Sequence, residues 1–206
     1  MSGNVGLIPR GVETRTEPIQ ARSTERITLL LDTAAELIAR GGINGITTST
    51  VAANSGSSIG VVYRYFTDIQ RLLDALAARN VDRFLTRVAA TIGTVPSDLQ
   101  ARLDGVIDTY VAFMRDEPGF RAIRFGDVLH NRVLLEGRPD QPRVTDDLVA
   151  LLTADHDTSA ADGEAFELEV LLAVVDRLLR RAFQYEPRGD ERFITAARGL
   201  VGDQVR

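Results

Sequence analysis

Apolar positions recur at steps of three and four along most of the chain from Ser23 onward, the period of an α-helix with one buried face. Ile27, Leu30, Leu31, Ala34, Leu37 and Ile38 form the first stripe, and the Gly41-Gly42 pair ends it. The stretch TTSTVAANSG predicts a short second helix, with a threonine as N-cap and Gly56 in its C-terminal turn. Ser58 opens a third, through Tyr63 and Arg64 to about Tyr65. A long fourth runs from about Asp68 to Ile92, with Leu72, Leu73, Leu76, Val81, Phe84, Leu85 and Val88 inward, and Pro96 closes that segment.

The same period continues to the C-terminus. Leu99, Leu103, Val106, Ile107, Tyr110, Phe113 and Met114 mark a helix that stops near DEPG. A shorter piece, FRAIRFGDVLHNRVLLEG, precedes a connection around Pro139 and Pro142, then TDDLVALLTA. TSAADG, residues 158–163, reads as a loop, and helices over about 165–185 and 191–205 finish the chain. No strand alternation interrupts the series, so the expected class is all-α with about nine helices. Residues 1–22 mix glycine, proline and charge without a period and read as a flexible arm. Its Arg10, Arg15 and Arg22 are either solvated or able to enter a minor groove.

Composition narrows the chemistry. The 206 residues suffice for one sizeable core or a small domain joined to a larger one, and 44% apolar with 26% charged residues describe a globular protein. No run of about 18 apolar residues predicts a membrane span, and the N-terminal stretch lacks a secretory apolar segment, which makes the cytoplasm the expected compartment. The chain has no cysteine, hence no disulfide, thiolate metal site or cysteine nucleophile. His130 and His156 stand too far apart to suggest a metal cluster by spacing, and Asp155-His156-Asp157 reads as a solvated loop, so no metal and no cofactor is expected. A net charge of -5 argues at first against nucleic acid. The charge is uneven, however: residues 1–80 carry eight arginines against seven acids, and the remaining excess of acid lies beyond them.

The second and third short helices carry the strongest signal. Ala52, Gly56 and Val62 supply a small residue for close helix packing, a glycine for a left-handed turn and an apolar anchor, in the order a helix-turn-helix demands. An apolar helix precedes them, hydroxyl residues stand at both helix starts, and aromatics follow. With these features ITTSTVAANSGSSIGVVYRYFTDIQRLLDAL, and ERITLLLDTAAELIARGGING before it, the chain resembles the TetR family of bacterial one-component transcriptional regulators over about residues 24–83. Thr47, Thr48, Ala52, Gly56, Ser58, Gly60, Tyr63, Tyr65, Phe66, Leu72 and Leu73 match a pattern frequent in that family. The division drawn is an arm at 1–22, a helix-turn-helix domain at 23–83 and a ligand-binding and dimerisation domain at 84–206.

The resemblance implies roles. The third helix would enter the major groove while flanking groups grip phosphates. Thr48 would offer a phosphate its hydroxyl and a helix N-terminal amide. Ser57 and Ser58 stand at the start of the recognition helix, where the hydroxyls either cap it or reach DNA. Gly60 lets the backbone approach the bases, Tyr63 and Tyr65 match family phosphate contacts, and Arg64 can reach a phosphate or a guanine. Phe66 is expected in the core. Ile59 and Val61 stand where polar side chains often read bases, and would favour thymine methyls. Ile69 replaces a family lysine, with Arg71 two positions on as a candidate substitute.

For the C-terminal part the resemblance implies effector binding and dimerisation. AFELEVLLAVVDRLLRRAF is apolar around most of its circumference, and Gly199 and Gly202 allow close approach in the last helix. A homodimer through these two helices is expected, against an internal helix pair. Tyr110, Phe113, Met114, Phe120, Phe125 and Phe166 either line an apolar cavity, with Asp108, Asp127 or His130 orienting a ligand, or serve as core. The expected function is repression of a pseudo-palindromic operator, relieved by a small molecule. The alternative is a helical small-molecule-binding or interaction protein with weakened DNA binding. No nucleophile-base pair or phosphate-binding glycine loop suggests an enzyme.

Overall fold

The computed structural model describes residues 16–117, 119–120, 144–154 and 162–204. Among them lie eight α-helices, one 3₁₀ turn and no strand. They are α1 (Thr16–Gly41), the turn Ile43–Gly45, α2 (Thr48–Asn54), α3 (Ile59–Tyr65), α4 (Ile69–Ile92), α5 (Leu99–Asp116), α6 (Val144–Thr153), α7 (Asp162–Ala182) and α8 (Glu191–Gln204). The helix expected within 120–137 and the Asp155-His156-Asp157 triplet lie outside the described residues, Phe120 apart.

Two helix starts differ from the sequence reading. α1 begins at Thr16, inside the stretch read as an arm, and α7 begins at Asp162, inside the stretch read as a loop. Pro18 looks like a helix breaker in the sequence, yet it falls in the opening turn, where backbone amides have no helical acceptor and a missing N–H costs nothing. Gly163 gives the same signal at the start of α7.

Two hydrophobic cores result. Leu30, Leu31, Ala34 and Ile38 of α1 meet Val51 and Ala52 of α2, Val62 of α3 and Leu72, Leu73 and Leu76 of α4. In the second, Phe84 and Val88 of α4 join α5, Leu148 and Leu152 of α6, the Leu168, Leu172, Val175 and Leu179 stripe of α7, and Ile194, Ala197 and Val201 of α8. Each fully buried leucine or phenylalanine stabilises the fold by about 1.5–3 kcal/mol. Phe84 anchors an aromatic group, edge-on to Phe113 at 5.7 Å and to Tyr110 at 6.0 Å, with Phe120 5.2 Å from Phe113.

α4 is the helix shared by both cores, and the changeover falls between Ala77 and Phe84. The junction is polar: Arg79 pairs with Asp32 of α1 at 2.7 Å, and Arg83 with Glu117 at the end of α5 at 3.0 Å. Asn80 is buried between them. Just beyond α5 the backbone at Gly119 lies against α1, so close that a Cβ there would come within 2.9 Å of the Ala35 carbonyl oxygen. A shift of α5 or α4 in the second core therefore has direct contacts through which to move the first.

Candidate nucleic-acid interface

The α2-turn-α3 unit is built by local hydrogen bonds. Thr47 caps α2: its hydroxyl accepts from the Thr50 amide at 3.0 Å, and its own amide donates to Thr50 Oγ1 at 2.9 Å. This reciprocal box uses threonine where glutamate or glutamine is usual, which keeps a carboxylate away from the helix start. At the other end Gly56 takes φ +64°, a conformation that strains any side chain, and the Ser57 amide then reaches back to the Ala52 carbonyl at 3.0 Å. Ala52 and Val62 are both buried, as the helix-turn-helix spacing requires, and Phe66 seals the end of α3 against the first core.

With Val62 inward, α3 turns its other side to solvent. Ile59 is 42% exposed, Tyr63 53% exposed, and Gly60 and Arg64 lie open beside them. Val61 and Tyr65 are half-buried, Tyr65 packing on the first core. The structure brings two of the expected phosphate contacts together: Thr48 Oγ1 donates to the Tyr63 hydroxyl at 3.3 Å, across the two helices. The Tyr63 oxygen thus has its own proton left to donate outward.

The two serines separate. Ser58 occupies the N-cap position of α3 but its exposed side chain makes no capping bond, so of the two roles open to it the cap is not the one taken. Ser57 Oγ is buried without a hydrogen-bond partner, contrary to the expectation of a hydroxyl that caps or faces DNA. A Cβ at Gly60 would meet only Ser58 Oγ at 4.0 Å, so nothing within the described chain demands a glycine there.

Asp68 caps α4 through the Arg71 amide at 2.8 Å, and that backbone hydrogen bond, ahead of the Thr67 hydroxyl, holds its carboxyl below the usual range. Ile69, at the family's lysine position, is half-buried on the first core, and Arg71 is exposed one turn into the helix beside Asp68. Residues 37–67 contain no acidic residue, a signal the sequence itself carries. α2, α3 and the turn between them therefore carry no carboxylate of their own although the chain is acidic overall.

In the second core a cavity of about 100 Å³ lies between α4, α5, α6 and α7. Phe84, Tyr110, Leu148, Leu172 and Val175 wall it, and Asp176 and Arg180, joined at 2.7 Å, stand at its rim. Of the proposed ligand residues, Tyr110 lines it; Phe113 and Met114 are buried core off its wall. Asp108 does not orient a ligand there, because it is exposed and paired with Arg198 of α8. Phe125, Asp127 and His130 lie outside the described residues. Phe166 does not line this cavity: it is 64% exposed on the outer face of α7, where it lines a separate open groove with Val170, Val174 and Leu200 of α8. The reason is helical phase, since Leu168, Leu172 and Val175 take the inward stripe. The Asp176–Arg180 pair carries no distinctive signal in the sequence, where an i,i+4 acid and base are common on any helix.

Two family profiles match the chain. The family profile described as bacterial regulatory proteins, tetR family, covers residues 30–76, and that of the tetracyclin repressor-like C-terminal domain covers residues 97–205. A TetR-family transcriptional regulator from Streptomyces coelicolor has a similar crystal structure, 33% identical, with a TM-score of 0.76 over 88% of this chain and 96% of that one. The nucleoid occlusion factor SlmA of Sodalis glossinidius is 29% identical over 184 residues, 83% of this chain and 91% of that protein. The fatty acid degradation regulator FadR of Bacillus halodurans shares the fold, with a TM-score of 0.62 at 16% identity over 85% of this chain and 94% of that one. No helix among the described residues is long and apolar enough to cross a membrane. With a helix-turn-helix and a C-terminal helical domain both matched over most of their length, the chain belongs to the TetR family of DNA-binding transcriptional regulators.

Proposed function

We propose that the protein is a cytoplasmic homodimeric repressor that leaves its operator when a small molecule occupies the C-terminal domain. The observation that carries this reading is the open face of α3, with Ile59, Gly60, Tyr63 and Arg64 exposed and the Tyr63 hydroxyl braced by Thr48. Arg64, Tyr63, Thr48, Tyr65 and Ser58 position the protein on phosphates, and Ile59 and Val61 meet base edges across the gap that Gly60 leaves. Ser57 serves the turn, with its hydroxyl buried and its amide bonded to the Ala52 carbonyl.

The second copy docks on Phe166, Val170, Val174 and Leu200, whose exposure in one line across α7 and α8 supports a four-helix contact. Gly199 and Gly202 leave open space beside it, supporting close approach by the partner. Such a dimer sets two copies of α3 about 34–36 Å apart, one helical turn of DNA. An effector in the cavity presses on Phe84 and Tyr110, and α4 carries the displacement to α3, changing that spacing. The effector acts only through its preference for one of the two arrangements, worth about 1–3 kcal/mol in typical cases.

Selection of bound duplexes from a random pool tests the reading. Enrichment of an inverted repeat with half-sites about 10 base pairs apart, or a related spacing, is expected; a pool that stays random after several rounds contradicts it.

A further inference from the structure

Resting on the reading of a dimer bound to two half-sites, we propose that a triangle of contacts joining α1, α4 and the end of α5 sets the tilt of the first core against the second, and so selects the spacing of the operator half-sites. Arg79 of α4 reaches Asp32 of α1 at 2.7 Å, and Arg83 of α4 reaches Glu117 at the end of α5 at 3.0 Å. The Gly119 backbone closes the third side against Ala35 of α1. A Cβ at Gly119 would lie 2.9 Å from the Ala35 carbonyl oxygen and 3.0 Å from its Cα, so that side is backbone on backbone.

Apolar packing leaves the tilt to these contacts. Hydrophobic burial is non-directional, and the stripe that α4 turns inward is divided: Leu72, Leu73, Leu76 and Ala77 belong to the first core, Phe84 and Val88 to the second. Between them Asn80 is buried with its amide nitrogen unpartnered, and Val81 is buried in neither cluster. Hydrogen-bonded ion pairs do have direction. Arg79 is 19% exposed against 55% for Asp32, and Glu117 16% against 49% for Arg83, so each pair has one end in solvent and adds little to stability. Their weight lies in orientation, because two ties would leave a hinge and a closed triangle does not. The lever is long enough to matter. The stretch of α4 from Ile69 to Arg79 spans about 15 Å, and α3 lies beyond its start. A base-pair step is about 3.4 Å and is shared between two protomers, so a tilt of about 6° at the triangle changes the helix separation by one step.

Fluorescence anisotropy of the intact protein tests this with four duplexes: the enriched inverted repeat, the same repeat with one base pair added or removed between half-sites, and a random sequence. The parent protein is expected to prefer the native spacing by at least about ten-fold. Arg79→Met and Glu117→Ala open two different sides of the triangle, and each leaves behind the more exposed partner of its pair. Both are expected to cut the preference to about three-fold or less, with affinity for the random duplex within about two-fold of the parent's. Their melting temperatures should stay within about 4 °C of the parent's. The reversed pair, Asp32→Arg with Arg79→Glu, is expected to regain a preference that neither change alone retains. Unchanged spacing preference in both variants overturns the proposal, as does an equal loss of affinity for every duplex. So does a reversed pair that behaves like its single changes. A parent that selects the operator sequence yet tolerates all three spacings removes this inference and leaves the DNA-binding function standing, whereas equal binding of repeat and random duplex removes both.

Discussion

Tyr63 shows how much an acidic protein can do with hydroxyls. Its oxygen accepts from Thr48 and keeps its own proton for a phosphate, a contact that needs no formal charge. Tyr63→Phe should weaken operator and random DNA alike, by about ten-fold per protomer, because a hydrogen bond to a charged group is lost. The slope of log affinity against log salt should stay as it was, since no cation has been removed; electrophoretic titrations at three salt concentrations measure both quantities. Gly60 makes the complementary case. A Cβ there meets nothing closer than 4.0 Å in the described chain, and alanine is the better helix former by up to about 1 kcal/mol. Gly60→Ala should hold or raise the melting temperature and still reduce operator affinity, whereas unchanged DNA binding would mean the helix does not lie close to the bases. At this scale the sequence was most legible where a residue's role is steric. Ala52, Gly56, Val62 and Phe66 take the places their sizes and backbone freedom imply. The serines were not legible, because a hydroxyl fits a cap, a buried turn or a ligand equally well, and only the fold turned Ser57 inward and left Ser58 outward.

Helix α4 belongs to both cores, and charged groups fix its start and its junction alongside the apolar packing. Asp68 caps its start, Arg79 and Arg83 tie its middle to α1 and to the end of α5, and Ile69 packs where the family carries a lysine. A related device precedes α8, where Arg192, chiefly through its guanidinium and then its amide, holds the Asp190 carboxyl at about 2. A carboxyl held below its unfolded value of 3.8 stabilises the folded state above that value, and the contribution is lost as pH falls from about 4 toward 2. Melting temperatures measured across that window should therefore fall for the parent chain and fall less steeply for Asp190→Asn; equal slopes would show that the Arg192 contact has no weight in solution. Helix identities were readable from the apolar period, which tertiary burial enforces in every helix described. Boundaries were less so: Pro18 and Gly163 look like breakers, yet both fall in opening turns, where the rule against them does not apply.

For the whole molecule, the outward line of Phe166, Val170, Val174 and Leu200 and the outward face of α3 are two surfaces whose composition the folded chain itself does not explain. Val174→Glu places a carboxylate in the proposed dimer contact and should raise the dimer dissociation constant by about a hundredfold or more, read by light scattering across a concentration series. Operator affinity should fall with it, because one half-site alone cannot supply the binding of two. The sequence showed that α7 is apolar around most of its circumference between Leu168 and Val175 but not which stripe is inward, since that phase is set by α5, α6 and α8 packing on Leu168, Leu172 and Val175. For the same reason the sequence does not separate the buried cavity from the open groove of α7 and α8, on which Phe166 stands. The central claim is that a chain with a net charge of -5 grips a chosen DNA sequence through α2 and α3, which carry no carboxylate. Its most direct test is fluorescence anisotropy of a labelled operator duplex, from the enriched pool or from the region upstream of the protein's own gene, against a scrambled duplex over a salt series. The account predicts dissociation constants of about 10 nM or tighter for the operator, weakening with salt, and at least about a thousandfold weaker binding to the scrambled duplex. Equal affinity for the two duplexes would contradict it.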